Sequence, residues 1–300
     1  MRKFLFILIA CFILSTYLTM EGAASEVTYP NQQLLIGVEE LAERLSDPNL
    51  MIIDTRNEGY GKGHIPGAFS FDTKKLVDST HPVEGYLIRE KPFEELMKTL
   101  GVRNEVELVI YDAGVDTAAT RLFYALELYG HNNVRVLNGG YAAWEAFEGE
   151  QSTTGPEVKT SHFKAKTSPQ IEVDKEYVKS AIDNPNKIIL DVRSREEYKG
   201  EDVRAKRGGH IPTAVNIEWK EVLTDGVPFF KVADDIERML QQAGVTKDKQ
   251  VIIYCQKANR ASHMYFTLRL MGFDHIRMYE GSWQEWGNDL HTPITNPNEE

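Results

Sequence analysis

The sequence predicts two α/β domains, each a mostly parallel sheet flanked by helices. Short apolar runs without polar alternation recur along the chain, and amphipathic segments lie between them. Such runs are typical of strands covered on both faces, as in parallel sheets. In addition, one series of segments occurs twice in the same order. Alternation of strands and helices within each copy indicates the α/β class.

The repeat consists of five segments. In the first half they are residues 51–56, 63–68, 108–112, 134–137 and 140–144, and in the second half 188–193, 209–214, 251–255, 276–279 and 281–286. This is a duplicated domain, because solenoid repeats have periods of only about 20–50 residues. We therefore assign residues 33–148 and 171–292 to the two domains. Residues 149–170 are rich in Gly, Ser, Thr, Pro and Lys, which indicates a linker.

Helix boundaries between the strands are marked by proline, acidic residues and glycine. One helical stretch begins at Pro92 and stops before Gly101, and another begins near Asp234 and stops before Gly244. These are the expected signals at helix starts and ends. In parallel sheets of this class, ligands bind at the carboxyl ends of the strands.

The first 24 residues have the features of an export signal. Arg2 and Lys3 precede an apolar stretch at 4–18, and small residues at 22–24 offer a cleavage site after Ala24. The stretch is short for a transmembrane helix, which needs about 20 residues. We therefore expect a signal peptide at residues 1–24 and a secreted or periplasmic protein. Membrane association is expected only if the signal is retained uncleaved.

Composition and charge narrow the class of protein. With 42% hydrophobic and 26% charged residues, the chain can build ordinary globular cores. The formal net charge of −11 argues against a nucleic-acid binder, because such proteins are usually basic. The spacing of His, Cys and carboxylates fits no metal site, so we expect no metal. The sequence also has no phosphate-binding glycine loop, and we expect no organic cofactor. We also expect a monomer.

Cys255 carries the clearest chemical signal. It follows the apolar run 251–254 and opens the loop Cys-Gln-Lys-Ala-Asn-Arg, which leads directly into a helical pattern. Loop N–H groups, a helix N-terminus and the cations Lys257 and Arg260 all stabilise a thiolate and an anion bound beside it. The second cysteine, Cys11, lies in the expected signal peptide, so the mature chain is expected to have no internal disulfide.

These segments in combination make the chain resemble the tandem-domain rhodanese family of thiosulfate and 3-mercaptopyruvate sulfurtransferases. They are Asp-x-Arg, Gly-His-Ile-Pro, the strand that ends in the loop cysteine, and Gly-x-x-x-x-Trp. The resemblance implies two rhodanese-like domains, of which the second is catalytic. The first is then catalytically silent, because Asp112 stands where its cysteine would be. The implied reaction moves sulfane sulfur from thiosulfate, through a persulfide on Cys255, to a thiophilic acceptor such as cyanide.

The resemblance also gives the candidate site. Cys255 is the nucleophile, and the groups that bind the small anionic donor are Gln256, Lys257, Ala258, Asn259 and Arg260. Behind the loop we place Asp191, Arg193 and Glu197. Asp191 and Arg193 are expected to pair as part of the scaffold, because Asp54 and Arg56 occur at the matching places of the first half; a supporting role beside the loop is the alternative.

The chain departs from the family at two of these positions. Gln256 replaces the arginine of thiosulfate enzymes or the glycine of mercaptopyruvate enzymes. Glu197 replaces an arginine that binds the donor. A carboxylate cannot bind an anionic donor, so we hypothesise that Glu197 pairs with Arg260 and that this arginine compensates.

Other functions remain open from the sequence. A 3-mercaptopyruvate sulfurtransferase and a non-catalytic persulfide carrier fit the same residues. A Cys-dependent phosphatase is disfavoured, because those enzymes place five residues between cysteine and arginine and this chain has four between Cys255 and Arg260.

Several conspicuous side chains are given structural roles. His64 and His210 precede Ile-Pro turns in both repeats, and His263 lies alone on a helical stretch. Three tryptophans are expected in the cores: Trp144, Trp283 and Trp286. An insertion at 200–208 carries three cations, Arg204, Lys206 and Arg207, and we interpret it as a solvated loop.

Overall fold

The computed structural model describes residues 28–56 and 58–298. It contains two five-stranded sheets, one for each repeat, and the strands of each sheet pair in parallel. The predicted class, two α/β domains with mostly parallel sheets, is confirmed. The expected signal peptide at residues 1–24 lies outside the described residues. In the described part, no helix has the length and apolar character needed to cross a membrane.

The first sheet has the strand order β1-β5-β4-β2-β3. Its strands are β1 (Leu35–Ile36), β2 (Leu50–Asp54), β3 (Phe69–Ser70), β4 (Glu107–Tyr111) and β5 (Val134–Leu137). The helices of this half are α1 (Val38–Glu43), α2 (Glu90–Leu100), α3 (Ala118–Leu128) and α4 (Gly140–Ala146).

The second sheet repeats this arrangement, with the order β6-β10-β9-β7-β8. Its strands are β6 (Glu172–Val173), β7 (Lys187–Asp191), β8 (Val215–Asn216), β9 (Gln250–Tyr254) and β10 (Ile276–Tyr279). Its helices are α5 (Lys175–Lys179), α6 (Arg195–Lys199), α7 (Ala233–Gln242), α8 (Asn259–Leu270) and α9 (Ser282–Trp286). The register is equivalent too, since Asp54 pairs with Tyr111 in one sheet and Asp191 with Tyr254 in the other.

The central strands and the helix ends follow from the local sequence. In β4 and β9 every residue after the first is buried, which explains their unbroken apolar composition. Helix α2 ends where Gly101 adopts a left-handed conformation with φ +90°, a conformation that glycine reaches without steric cost.

The two domains pack through one helix from each. Nearly every residue of α3 and α8 is buried, and a single hydrophobic cluster extends from one domain into the other. The rings of Phe123 and Phe266 meet edge to face at 4.8 Å, and those of Tyr124 and Tyr265 at 5.1 Å. The start of α8, four residues after Cys255, lies at this boundary, because Arg121 of α3 donates to Ser262 in the first turn of α8 at 3.3 Å.

Residues 149–170, the predicted linker, contain no helix or regular strand and follow the surface of the first domain closely. Phe163 is buried against Phe93, at a ring distance of 6.0 Å. The N–H group of Ala165 donates to the carboxylate of Glu94 at 3.0 Å, and that of Lys166 to the carbonyl of Tyr129 at 3.0 Å.

His64 and His210 hold equivalent turns together. Each ring stacks on a tyrosine, Tyr60 at 3.8 Å and Tyr198 at 3.7 Å. Each Nδ1 also lies 2.9 or 2.8 Å from the carbonyl oxygen of that tyrosine. These structural roles are confirmed, as are the core positions of Trp144, Trp283 and Trp286, all at most 1% exposed.

The interpretation of the insertion at 200–208 as a solvated loop is wrong for Arg207. Its guanidinium donates to the carbonyl oxygens of Trp286 at 3.0 Å and Thr292 at 2.8 Å. It therefore fastens the insertion to the end of α9 and to the segment that follows it. Arg204 and Lys206 remain exposed, and Arg204 pairs with Asp202 at 2.7 Å.

Candidate active site

Cys255 lies at the carboxyl end of β9, the central strand of the second sheet, with its side chain buried. Its backbone N–H donates to Ser282 Oγ at 3.2 Å, and its carbonyl accepts from the N–H of Trp283 at 2.9 Å. The carbonyl of Gln256 accepts from the N–H of Gln284 at 2.9 Å. The first turn of α9 therefore fixes the backbone on which the thiol is carried.

In the loop after Cys255, several backbone N–H groups have no acceptor among the described residues. Ala258 has φ +62°, a left-handed conformation that turns the chain into α8. The N–H of Asn259 donates to the carbonyl of Lys257 at 2.9 Å. The N–H groups of residues 256–258 find no backbone or side-chain acceptor in the described part of the chain. With the start of α8, they provide the donors that an anionic sulfur needs.

In the first domain, a carboxylate occupies the position equivalent to that of Cys255. Asp112 follows β4 as Cys255 follows β9, and it accepts from the N–H groups of Gly114 at 2.9 Å and Ala119 at 3.0 Å. Burial, and next the charge of Asp116, raise the pKa of Asp112 to about 7. The equivalent position between strand end and helix start is therefore occupied by a carboxyl group in the first domain and by a thiol in the second.

Arg260 and Glu197 form a two-pronged ion pair. Nη1 and Nη2 of Arg260 lie 2.5 and 2.9 Å from the two carboxylate oxygens. The hypothesised pair therefore forms in the structure. Glu197 is 1% exposed and is held in the first turn of α6 by a reciprocal capping box with Ser194. Burial acts to raise the pKa of Glu197, but the hydrogen bonds and charge of Arg260 outweigh it and hold this pKa below its ordinary value.

Burial also acts on Arg260, in the direction of a lower pKa. The hydrogen bonds of Glu197, and next the negative charge of a Cys255 thiolate, outweigh it, so the pKa of Arg260 is raised. The guanidinium is therefore close enough to the cysteine for their charges to interact.

The second loop cation is paired from the other domain. Nζ of Lys257 lies 2.7 Å from a carboxylate oxygen of Glu84, a residue of the first domain. Both side chains are solvent-accessible, Lys257 by 39% and Glu84 by 64%. Lys257 and Arg260 each therefore face one carboxylate, the first at the surface and the second in the interior.

The remaining candidate loop residues differ in exposure. Gln256 is buried, and its amide donates to the carbonyl of Arg204 at 3.0 Å and to Gln284 at 3.3 Å. Gln256 therefore joins the insertion to α9. Asn259 is exposed at the start of α8, and the side chain of Ala258 is buried.

Asp191 and Arg193 support the strand that carries the cysteine. Nη2 of Arg193 lies 2.6 Å from Asp191, and its guanidinium lies over the ring of Trp283 at 4.4 Å. The hydroxyl of Tyr254, the residue before Cys255, donates to Asp191 at 2.5 Å. The first domain repeats the arrangement with Asp54, Arg56 and Tyr111. Its presence beside both strand ends assigns this triad to the scaffold.

His263 is a packing residue. It lies between the rings of Trp219 and Phe230, at 5.0 and 5.3 Å, and burial lowers its pKa to about 3. Within residues 28–56 and 58–298, no three side chains of His, Cys, Asp and Glu are grouped so that they could hold a metal ion.

The family model for the rhodanese-like domain matches the chain twice, at residues 37–147 and 174–289. The chain belongs to the rhodanese-like family.

Relatives whose names state different functions are about equally similar to this rhodanese-like chain. The sulfur carrier protein TtuD of Thermus thermophilus is 34% identical over 285 residues, 89% of this chain and 98% of the relative. The thiosulfate sulfurtransferase of Pseudomonas aeruginosa is 34% identical over 268 residues, 87% of this chain and 96% of the relative. A crystal structure of a 3-mercaptopyruvate sulfotransferase from Escherichia coli is 30% identical, with a TM-score of 0.76, and covers 83% of this chain and 98% of that one.

Sequence reasoning missed a buried ion pair between the two rhodanese-like domains. Arg121 of α3 and Glu280, which follows β10, are 3% and 1% exposed and lie 2.8 Å apart. Burial acts to lower the pKa of Arg121, but Glu280 and, further down, a Cys255 thiolate outweigh it and raise this pKa. An arginine directly before the apolar run 122–126 was the available signal, because such a residue needs a partner when the run is buried.

Proposed function

We propose that this chain is a sulfurtransferase that moves sulfane sulfur from thiosulfate to a thiophilic acceptor such as cyanide. The observation that carries the proposal is the thiol of Cys255 at the end of β9, in a loop whose N–H groups at 256–258 have no acceptor among the described residues. The relatives named as sulfurtransferases and as a sulfur carrier support the same chemistry.

The reaction has two stages. The Cys255 thiolate attacks the outer sulfur of thiosulfate, a new S–S bond forms, and the old S–S bond breaks with its electron pair leaving on sulfite. The loop N–H groups and the start of α8 stabilise the negative terminal sulfur of the persulfide. Cyanide then attacks that outer sulfur, thiocyanate leaves, and the thiolate is restored. This is a ping-pong scheme with a covalent intermediate.

Arg260 is the proposed donor-binding group. A guanidinium has five N–H donors, and Glu197 engages two of them in the described residues. The side chain is 19% exposed. It can therefore keep its bonds to Glu197 and still donate to an oxygen of thiosulfate. Lys257, two residues from the thiol, supplies the second cation.

Two other functions have a specific observation in their favour. The relative from Escherichia coli favours 3-mercaptopyruvate as donor, and the one from Thermus thermophilus favours a persulfide carrier with little turnover. We prefer thiosulfate because the relative from Pseudomonas aeruginosa, which is named a thiosulfate sulfurtransferase, is 34% identical, whereas the mercaptopyruvate relative of known structure is 30% identical.

Thiocyanate formation separates these functions. Purified protein is given cyanide with either thiosulfate or 3-mercaptopyruvate, and Cys255→Ser is the inactive control. Fast turnover with thiosulfate supports the proposal, and turnover with mercaptopyruvate alone assigns the second function. Persulfide on Cys255 without turnover assigns the carrier function, and the absence of both persulfide and turnover contradicts all three.

We also propose that the first domain is catalytically silent and that the protein is exported as a monomer through the signal at residues 1–24. Asp112 in place of a cysteine supports the first point, and the positive, apolar and small-residue regions support the second. One chain supplies both sides of the loop, which supports the monomer. Mass analysis of the secreted protein and light scattering test these points; an N-terminus at Met1 or a stable dimer contradicts them.

A further inference from the structure

Residues 78–87 of the first domain form a strap against the catalytic loop of the second domain. The strap folds back on itself, because the N–H of Asp78 donates to the carbonyl of Tyr86 at 2.8 Å and Val77 bridges to Leu87. The ring of His81 packs on that of Tyr86 at 3.9 Å. The strap is therefore a closed turn with its own internal contacts.

Besides the ion pair of Glu84 with Lys257, three contacts fasten the strap across the domain boundary. The N–H of Leu87 donates to Glu280 at 3.2 Å, and the hydroxyl of Tyr86 to Glu285 at 3.3 Å. At Gly85, which has φ +108°, an added Cβ would lie 3.0 Å from the carbonyl oxygen of Lys257. The strap backbone thus approaches the loop backbone so closely that a side chain at this position would be crowded.

This contact fixes the position of the next residue along the strap, Glu84. Its carboxylate lies 2.7 Å from Nζ of Lys257, and both side chains are open to solvent. Exposed ion pairs of this kind are weak, so a dianion that binds the loop can compete for Lys257. Glu197 already neutralises Arg260. With Glu84 in place, the two loop cations are balanced by two carboxylates.

We propose that Glu84 sets the selectivity of the site for donor charge, and that the silent domain contributes it for this purpose. This rests on the proposed function, in which an anionic donor binds beside Cys255. Glu84 repels that donor and competes with it for Lys257. The penalty is larger for a dianion such as thiosulfate than for a monoanion such as an alkyl thiosulfonate, which carries the same transferable sulfur. The same carboxylate hinders unreactive dianions such as sulfate.

The test is the KM of each donor in Glu84→Gln. For an exposed pair, removal of the charge is expected to lower the KM for thiosulfate about twofold to fivefold. The KM for methanethiosulfonate should fall by a smaller factor, and kcat should stay unchanged for both donors. High salt should reduce the difference between variant and wild type.

Glu176→Gln is the matched control. Glu176 is 71% exposed and pairs with Lys179 at 2.9 Å, so it resembles Glu84 in exposure and partner. It lies on α5, whose Tyr177 contacts Gln250 at the opposite end of β9 from Cys255. No change in KM is expected. Equal KM values in Glu84→Gln and wild type, an equal fall for both donors, or the same fall in the control would overturn the proposal.

A second readout is independent of sulfur transfer. Sulfate should protect Cys255 from alkylation by iodoacetamide, and half-protection in Glu84→Gln should need about twofold to fivefold less sulfate. If wild type forms no persulfide and yet protection shifts in this way, the proposed function fails and the role of Glu84 in anion binding stands. If wild type turns over and neither KM nor protection changes, only the role of Glu84 fails.

Discussion

Replacement of Arg121 with methionine is expected to destabilise the protein strongly. Arg121 makes two hydrogen bonds to Glu280, at 2.8 and 2.9 Å, one to the carbonyl of Gly85 at 2.8 Å, and one to Ser262 at 3.3 Å. Methionine fills a similar apolar volume and supplies no charge. Glu280 would then be a buried carboxylate without a cation.

The magnitude follows from this burial. Removal of one partner of a buried ion pair costs about 3–5 kcal/mol in the free energy of unfolding, and the unpaired carbonyl of Gly85 adds about 1 kcal/mol. The N–H of Leu87 still donates to Glu280 and offsets part of this. We therefore expect a loss of about 3–5 kcal/mol. In the double variant Arg121→Met/Glu280→Met no buried charge is left, so much of the loss should be recovered.

Urea unfolding followed by circular dichroism measures these differences. Arg269→Met is the matched control, because Arg269 and Glu127 also form an ion pair between the two domains, at 2.8 Å, but Arg269 is 27% exposed. Its expected cost is about 1 kcal/mol, as for solvent-screened pairs. A loss below 1 kcal/mol in Arg121→Met, or a double variant less stable than either single one, would refute the reasoning.

Three further predictions concern buried titratable groups. Glu197→Gln removes the charge beside Arg260, so the KM for thiosulfate should fall, by about fivefold to tenfold for an effect near 1 kcal/mol; unchanged donor kinetics would count against Arg260 as the donor-binding group. Asp112 has a raised pKa, about 7 when folded against about 3.9 unfolded. The protonated carboxyl of Asp112 therefore stabilises the folded state fully below pH 4, and this contribution is lost as the pH rises to 7. The free energy of unfolding of Asp112→Asn relative to wild type, measured with urea, should increase by on the order of 3 kcal/mol between pH 4 and pH 8. An equal difference in stability between Asp112→Asn and wild type at pH 4 and pH 8 would contradict the raised pKa of Asp112. The pKa of His263 is lowered to about 3, so stability is lost as the pH falls below about 6.5, and at pH 5 the loss is about 2 kcal/mol. His263→Phe should flatten this part of the pH profile, and an unchanged slope there would show that another group is responsible.

The fold was predictable because its determinants are local and occur twice. The runs 108–111 and 251–254 are continuously apolar, since each becomes a central strand covered on both faces. Gly101 and Gly244 end helices at the predicted points, where φ is +90° and +75°. Because the segments occur in both halves, a strand or helix predicted in one half can be compared with its equivalent in the other.

The candidate loop was predictable for the same reason, because residues 255–260 are contiguous. The Glu197–Arg260 pair was accessible through one departure from the family pattern. In contrast, Glu84 meets Lys257 and Arg121 meets Glu280 only through the packing of the two domains. In the sequence Glu84 has the same appearance as any solvated acidic residue, since no local pattern encodes which surface will cover it.

Arg207 escaped prediction for a related reason. Most of its partners are backbone carbonyls at the end of α9 and in the segment after it. Every residue has a carbonyl, so no sequence pattern identifies which ones an arginine will bind. Its place in a cluster of cations made the solvated interpretation more natural than the buried one.

The most direct test of sulfur transfer through Cys255 is the intact mass of the protein after incubation with thiosulfate. We expect a gain of one sulfur atom in wild type, its removal by cyanide, and no gain in Cys255→Ser. A wild-type mass that does not change, or a gain that persists in Cys255→Ser, would contradict the assignment of this thiol as the sulfur-carrying group.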